Sequence, residues 1–243
     1  MNNLHSIAES DSSEQYPVKY EVTSAIGAET SSLLATSNQV ATPSPLSNYF
    51  ELMRTIRIRL DLIENLKKIE GDAFSRAETA SFHGRKTIEA IAFACLVATE
   101  NGIKNIPKDA KGQWNAETIF KSLKKKDIQT FPSASTIRFS NKEENVNFNV
   151  LGTIEHTPEV QLSHTDVISI YQRLHRWLHE LNPYVTSSRD AFCNLHESGL
   201  WADLLKIDKF ISKHLIQIRG KAFYCVLRDK CDGQIKVISL NGA

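Results

Sequence analysis

Apolar residues along the chain fall into runs with a helical period, separated by stretches that have none. After Ser44-Pro45, a capping serine followed by proline at the first helical position, Tyr49, Met53, Ile56, Leu60 and Ile63 recur at steps of four, three, four and three. That is one stripe of an amphipathic helix. Gly71-Asp72 breaks it, and a second, longer helix is expected from about 72 to 100, stopped by Asn101-Gly102. Its second half, IEAIAFACLVA, is apolar nearly all round, which marks the central and most buried helix, with Gly84 as a possible kink. A third stripe, Val167, Tyr171, Leu174, Leu178 and Leu181, follows a cap at Ser163 or Thr165 and is ended by Pro183. A short helix near 189–197 and a longer one from Leu200 to Leu215 complete the helical set.

Two segments alternate with period two instead. Ser135 to Ser140 and Asn145 to Leu151, separated by Asn-Lys-Glu-Glu, read as a hairpin, and Asn115 caps a short helix before them. Residues 103–162 are therefore expected as an insertion between core helices. The chain closes with strands Ala222 to Arg228 and Gln234 to Leu240 around Asp232-Gly233, a C-terminal hairpin within 221–241. Residues 1–43 are rich in Ser, Thr, Ala and Glu with no sustained period, and read as a disordered or partner-ordered tail in which residues 16–22 form at most a transient strand. The expected fold is mainly α: a bundle of about four core helices over 44–243, with small β-hairpin additions and a flexible N-terminal tail.

Composition narrows the function classes. The 243 residues are 41% hydrophobic and 23% charged, ordinary for one globular domain. Lys+Arg 29 against Asp+Glu 28 leaves a formal charge of +1, so no whole-molecule basic field announces nucleic acid and any such contact needs a local patch. Cys95, Cys193, Cys225 and Cys231 form no Cys-x-x-Cys pair and are expected as reduced thiols. The start MNNLHSIAESDSSEQ has no basic or apolar stretch, and the apolar window from Ile88 to Ala98 is too short to span a bilayer. These features lead to the expectation of a cytoplasmic protein without membrane contact.

The segment from Tyr171 to Tyr184 holds the residues best suited to chemistry. At roughly 100° per residue, a continuous helix puts His175, Arg176 and His179 on one polar face with Arg173 beside it. A neutral imidazole can take a proton from a 2′-hydroxyl near neutral pH. A guanidinium can stabilise charge developing on phosphoryl oxygens. The same spacing also suits a solvated face with an Arg176–Glu180 ion pair.

Arg173, five intervening residues and His179 resemble the Arg-x4–6-His signature of HEPN-domain proteins. Leu178-His179-Glu-Leu-Asn182-Pro183-Tyr184 is similar to a Leu-His-x-x-Asn-Pro-aromatic motif of bacterial proteins of that helical type, and Arg85-Lys86-Thr-Ile-Glu89-Ala-Ile91 resembles their upstream Arg-x-x-Leu-Glu-x-Ile helix. The resemblance spans about 46–218. It implies a helical homodimer whose Arg/His sets line one cleft and, in active members, cleave RNA without metal to leave a 2′,3′-cyclic phosphate, as in bacterial defence or toxin–antitoxin systems. By that resemblance His179 is the general acid/base and Arg173 the phosphate stabiliser, with His175, Arg176, Asn182, His83 and Arg85 in support. Leu174 stands where the signature has Asn, Asp or His, a departure that bears on catalysis more than on fold.

Other readings stand beside this one. Arg76, His83 and Arg85 form a second Arg/His cluster on the central helix, although Arg85 and Glu89 also suit a structural ion pair. His175 and His179 have the spacing of two metal ligands, but no third is suggested, so no metal or other cofactor is expected. Lys121, Lys124, Lys125 and Lys126, with Lys104, Lys108 and Lys111 upstream, could meet a nucleic-acid backbone or simply complement a helix C-terminus. Trp114, Trp177 and Trp201 read as core or interface anchors. The competing function is a non-catalytic interaction module whose tail folds on a protein partner.

Overall fold

The first stripe is the buried face of α1 (Pro45–Lys68), where Tyr49, Met53 and Ile56 are fully enclosed. The Ser44 side chain accepts a hydrogen bond from the Ser47 amide at 3.2 Å, satisfying one of the donors left open at a helix start. The computed structural model describes residues 20–26, 44–103, 106, 108–126, 128, 130–139, 152–182, 184 and 188–242. In it α1 packs lengthwise on α2 (Ala73–Ile103), which begins where the Asp72 carboxylate accepts from the Ser75 amide at 2.7 Å. As its apolar second half predicts, α2 is the central element, packed against most of the other helices and two strands.

Gly84 is a point of close approach on α2. A Cβ there would overlap Leu204 Cδ2 and lie 3.0 Å from Leu174 Cδ1, both on buried leucines of neighbouring helices. Overpacking of this kind costs about 1–3 kcal/mol, while the helix propensity gained on losing glycine is ~1 kcal/mol at most. Gly84→Val is therefore expected to lower stability by about 2 kcal/mol in thermal or urea unfolding. Unchanged unfolding would refute the close packing.

After α2 come α3 (Lys108–Lys111) and α4 (Ala116–Lys125), the latter capped by Asn115 as expected. Ile119, Phe120 and Leu123 of α4 enter the same core as α1 and α2, so much of 103–162 is integral to the core. Next are α5 (His164–His175), opened by a Ser163/Asp166 capping box, and α6 (Arg189–Ser212). Among the described residues the α-helices are thus six, and they do not set apart a bundle of four core helices. The region expected as two helices between 189 and 215 is one helix that runs through Gly199 and stops at Ser212.

The strands among the described residues are β1 (Tyr20–Ile26), β2 (Ser133–Phe139), β3 (Gly152–His156), β4 (Lys213–Ile218), β5 (Lys221–Val226) and β6 (Lys236–Gly242). They form one antiparallel sheet in the order β1-β6-β5-β4-β2-β3. The expected separate hairpins are therefore joined, because β4, read from sequence as a helix end, bridges them. Its residues alternate: His214 and Ile216 face the helical core, while Leu215 joins Tyr224 and Leu240 in a small cluster on the outer face. Arg219 (φ 46°) and Gly220 (φ 77°) make the two-residue turn into β5, and positive φ at both positions matches the twist of a tight hairpin. Within the tail, Tyr20–Ile26 forms the sheet edge against β6. The strand expected over 145–151, and the rest of the tail, lie outside the described residues.

Polar contacts also tie the helices to the sheet. Tyr49 Oη and His214 Nε2 lie 2.6 Å apart, both fully buried, and His214 Nδ1 is 2.7 Å from the Ile211 carbonyl. A carbonyl only accepts, so Nδ1 carries the proton, Nε2 is the acceptor, and the tyrosine hydroxyl donates. Arg228, just after β5, donates to Asp61 of α1 at 2.8 and 3.0 Å and to Asp208 of α6 at 3.0 Å. Among the described residues no helix is long and apolar enough to cross a membrane. Cys95, Cys193 and Cys225 are buried thiols, and Cys231 is an exposed one.

Candidate functional site

The third stripe does not run as a continuous α-helix to Pro183, a residue outside the described set. α5 ends at His175, residues 176–178 form a tighter three-residue-per-turn helix, and His179 is extended (φ −106°, ψ 146°). In that tighter turn positions i and i+3 eclipse, so Trp177 follows Leu174 into the core while Leu178 is only half-buried. Trp177 fills the space beside Phe74 and Phe192, with ring centroids at 5.9 and 4.8 Å. Of the expected polar face, His175 and His179 stay together while Arg176 turns to the α6 side. The Arg176–Glu180 pair of a continuous helix is not formed.

On the α2 side of this turn, three expected residues meet. Arg85 donates through Nη1 to His175 Nδ1, and His175 Nε2 lies 2.8 Å from His179 Nε2, the two rings edge to face at 4.2 Å. A guanidinium only donates, so His175 Nδ1 must accept and the proton of neutral His175 sits on Nε2. That proton points at His179 Nε2, which therefore carries a lone pair. Partial burial, then the nearby charge of Arg85, lower the His175 pKa below its ordinary value, so His175 is neutral at neutral pH.

Arg85 itself is held in place. Its Nη2 donates to the Tyr171 hydroxyl at 2.6 Å, its guanidinium lies 4.4 Å from the centroid of that ring, and Tyr171 passes its own proton toward Glu89 at 3.2 Å. Burial raises the Tyr171 pKa, which keeps the phenol protonated. Glu89 lies 4.0 Å from Arg85 Nε and is paired with Lys86 at 2.7 Å. The expected Arg85–Glu89 ion pair exists, and the same arginine reaches the histidines.

Arg173 is elsewhere. It grips Asp203 of α6 with two hydrogen bonds, Nε to Oδ2 at 2.6 Å and Nη2 to Oδ1 at 2.9 Å. Among the described residues no contact joins it to His179. Arg176 also lies on the α6 side, lining a cleft with Arg173, His196 and Lys206. His83 faces α1, where Arg59 donates to its Nδ1 at 3.3 Å, and Arg76 donates to the Ile69 carbonyl at 2.8 Å. Asn182 accepts from the Tyr184 amide at 3.0 Å in a local turn. Lys121 pairs with Glu117 at 2.6 Å, while Lys124, Lys125 and Lys126 are solvated on α4. Lys104 lies outside the described residues. Trp201 donates to Glu197, and Trp114, at 82% exposure, is no core anchor.

Among the described residues no group of three or more His, Cys, Asp or Glu side chains is arranged to hold a metal ion. Sequence reasoning missed Tyr171 as the support of Arg85, and Asp203 as the partner of Arg173. Asp203 had a signal: a carboxylate within the apolar stripe Leu200, Leu204 and Ile207 calls for a cationic or hydrogen-bonding partner from another element. No protein-family model, curated protein or solved structure matches the chain.

Proposed function

We propose that the protein is a metal-independent endoribonuclease of HEPN type, working through Arg85, His175 and His179. The observation that carries this reading is the chain of contacts from the part-buried Arg85 guanidinium through the exposed His175 to the lone pair on the exposed His179 Nε2. An RNA phosphodiester that displaces the His175–His179 hydrogen bond meets a base and two hydrogen-bond donors together. His179 Nε2 takes the 2′-hydroxyl proton as the 2′ oxygen attacks phosphorus. The bond from phosphorus to the 5′ oxygen breaks, and the imidazolium formed at His179 protonates that departing oxygen. Arg85 and the His175 Nε2–H stabilise the charge on the non-bridging oxygens. The products are a 2′,3′-cyclic phosphate and a 5′-hydroxyl. Arg173, the phosphate stabiliser implied by the resemblance, is not assigned that role here, since it is held by Asp203 on the α6 side of the turn, where no contact among the described residues joins it to His179.

Incubation of the purified protein with a mixed RNA pool in EDTA tests the reading. Cleavage that leaves cyclic phosphate ends and falls about 10²–10⁴-fold in His179→Ala is the expected result. Intact RNA with both proteins would overturn it and favour the non-catalytic interaction module.

A further inference from the structure

The face of α5 opposite the histidines borders a second concavity. A cleft of about 370 Å3 lies between the end of α5 and α6. Arg173, Arg176 and Lys206 bring three positive charges to it and Asp203 one negative charge, a net of two positive charges. The carboxylate is buried at 8% exposure and turned to Arg173, while the Arg173 side chain remains 48% exposed and Lys206 stands 4.0 Å from the same carboxylate. Arg176 is exposed, and its side chain makes no ion pair or hydrogen bond among the described residues. Apolar side chains complete the lining, Trp177 almost fully buried and Leu195 at 73% exposure. His196 lines the same cleft, its pKa lowered by burial and then by Arg176, so that it is a neutral hydrogen-bonding group at neutral pH.

We infer that this cleft binds a backbone phosphate of single-stranded RNA, with Arg176 and Lys206 on the phosphate and Leu195 against the attached nucleoside. A cleft that offers both cationic and apolar side chains can take both halves of a nucleotide, and Arg176, without a partner among the described residues, meets an anion with no such pairing to break. The cleft and the histidine cluster flank the same last turn of α5. A helix with its side chains is about 10–12 Å across, a span suited to phosphates one or two nucleotides apart on a strand that crosses the helix end. The substrate assignment rests on the ribonuclease reading, and the binding does not depend on cleavage.

The test uses the full chain and a fluorescent 2′-O-methyl oligoribonucleotide, which lacks the attacking hydroxyl and so reports binding alone by anisotropy. Arg176→Gln with Lys206→Gln is compared with wild type and with Lys124→Gln plus Lys125→Gln, which removes the same charge from α4. The cleft variant is expected to weaken binding about tenfold and to reduce the slope of log Kd against log salt by about 0.7, the share of one phosphate that the cleft no longer neutralises. The α4 variant is expected to bind within about twofold of wild type. Equal losses in both variants, no loss in the cleft variant, or equal displacement of the strand by a polyglutamate peptide would overturn the inference. Should the pool assay detect no cleavage while the cleft variant still binds weakly, the enzyme reading fails and the binding site stands.

Discussion

Arg85→Ala is expected to lower RNA cleavage about 10²–10³-fold, the usual loss on removing one preorganised donor from a developing oxyanion. The fold should tolerate the change. Glu89 keeps Lys86 at 2.7 Å, and Tyr171 keeps Glu89 as an acceptor. Arg173→Ala should behave in the opposite way. It strips a largely buried carboxylate of two hydrogen bonds and leaves only Lys206 at 4.0 Å. The expected cost is about 1–3 kcal/mol of stability, with cleavage per folded molecule changed far less than in Arg85→Ala. Rates measured beside urea unfolding separate the two arginines. A rate collapse in Arg173→Ala with Arg85→Ala near wild type would return the role to the arginine of the signature motif.

The second large effect is on acid stability. Full burial of His214 lowers its pKa to about 4 from an ordinary value of 6.5, because the charged form loses its hydration. With the folded value below the unfolded one, the unfolded chain binds the extra proton first. The fold therefore keeps its full stability above pH 6.5 and loses it as pH falls from 6.5 to about 4. The loss from this one residue is about 3 kcal/mol. Tyr49→Phe with His214→Leu removes both polar partners and should unfold in urea with about 3 kcal/mol less dependence on pH between 7 and 4, whatever its stability at pH 7. Parallel pH profiles for the two proteins would contradict the buried neutral imidazole.

Much of the helical framework was legible because its apolar positions repeat with the helix. All five residues of the α1 stripe are buried, and the apolar half of α2 is central. The sheet was only half legible. KHLIQI continues directly from a helix whose apolar period its leucine and isoleucines extend, and only pairing with β5 and β2 makes it a strand. The site was legible in its residue types but not in its grouping. Local spacing joins Arg173 to His179. The tightened turn at 176–178 and the remote Asp203 divide them, and Arg85, ninety positions before His175, takes the place beside the histidines. Tertiary partners decide such matters, and no single helix carries them.

The most direct measurement is cleavage in EDTA of one defined RNA and of the same RNA with a single 2′-deoxynucleotide at the cut position. Assigning the base to His179 and the phosphoryl contacts to Arg85 and His175 predicts efficient cutting of the first, with a 2′,3′-cyclic phosphate on the product, and no cutting at the substituted position in the second. Equal cutting of both strands, or products ending in a 3′-hydroxyl, would contradict it.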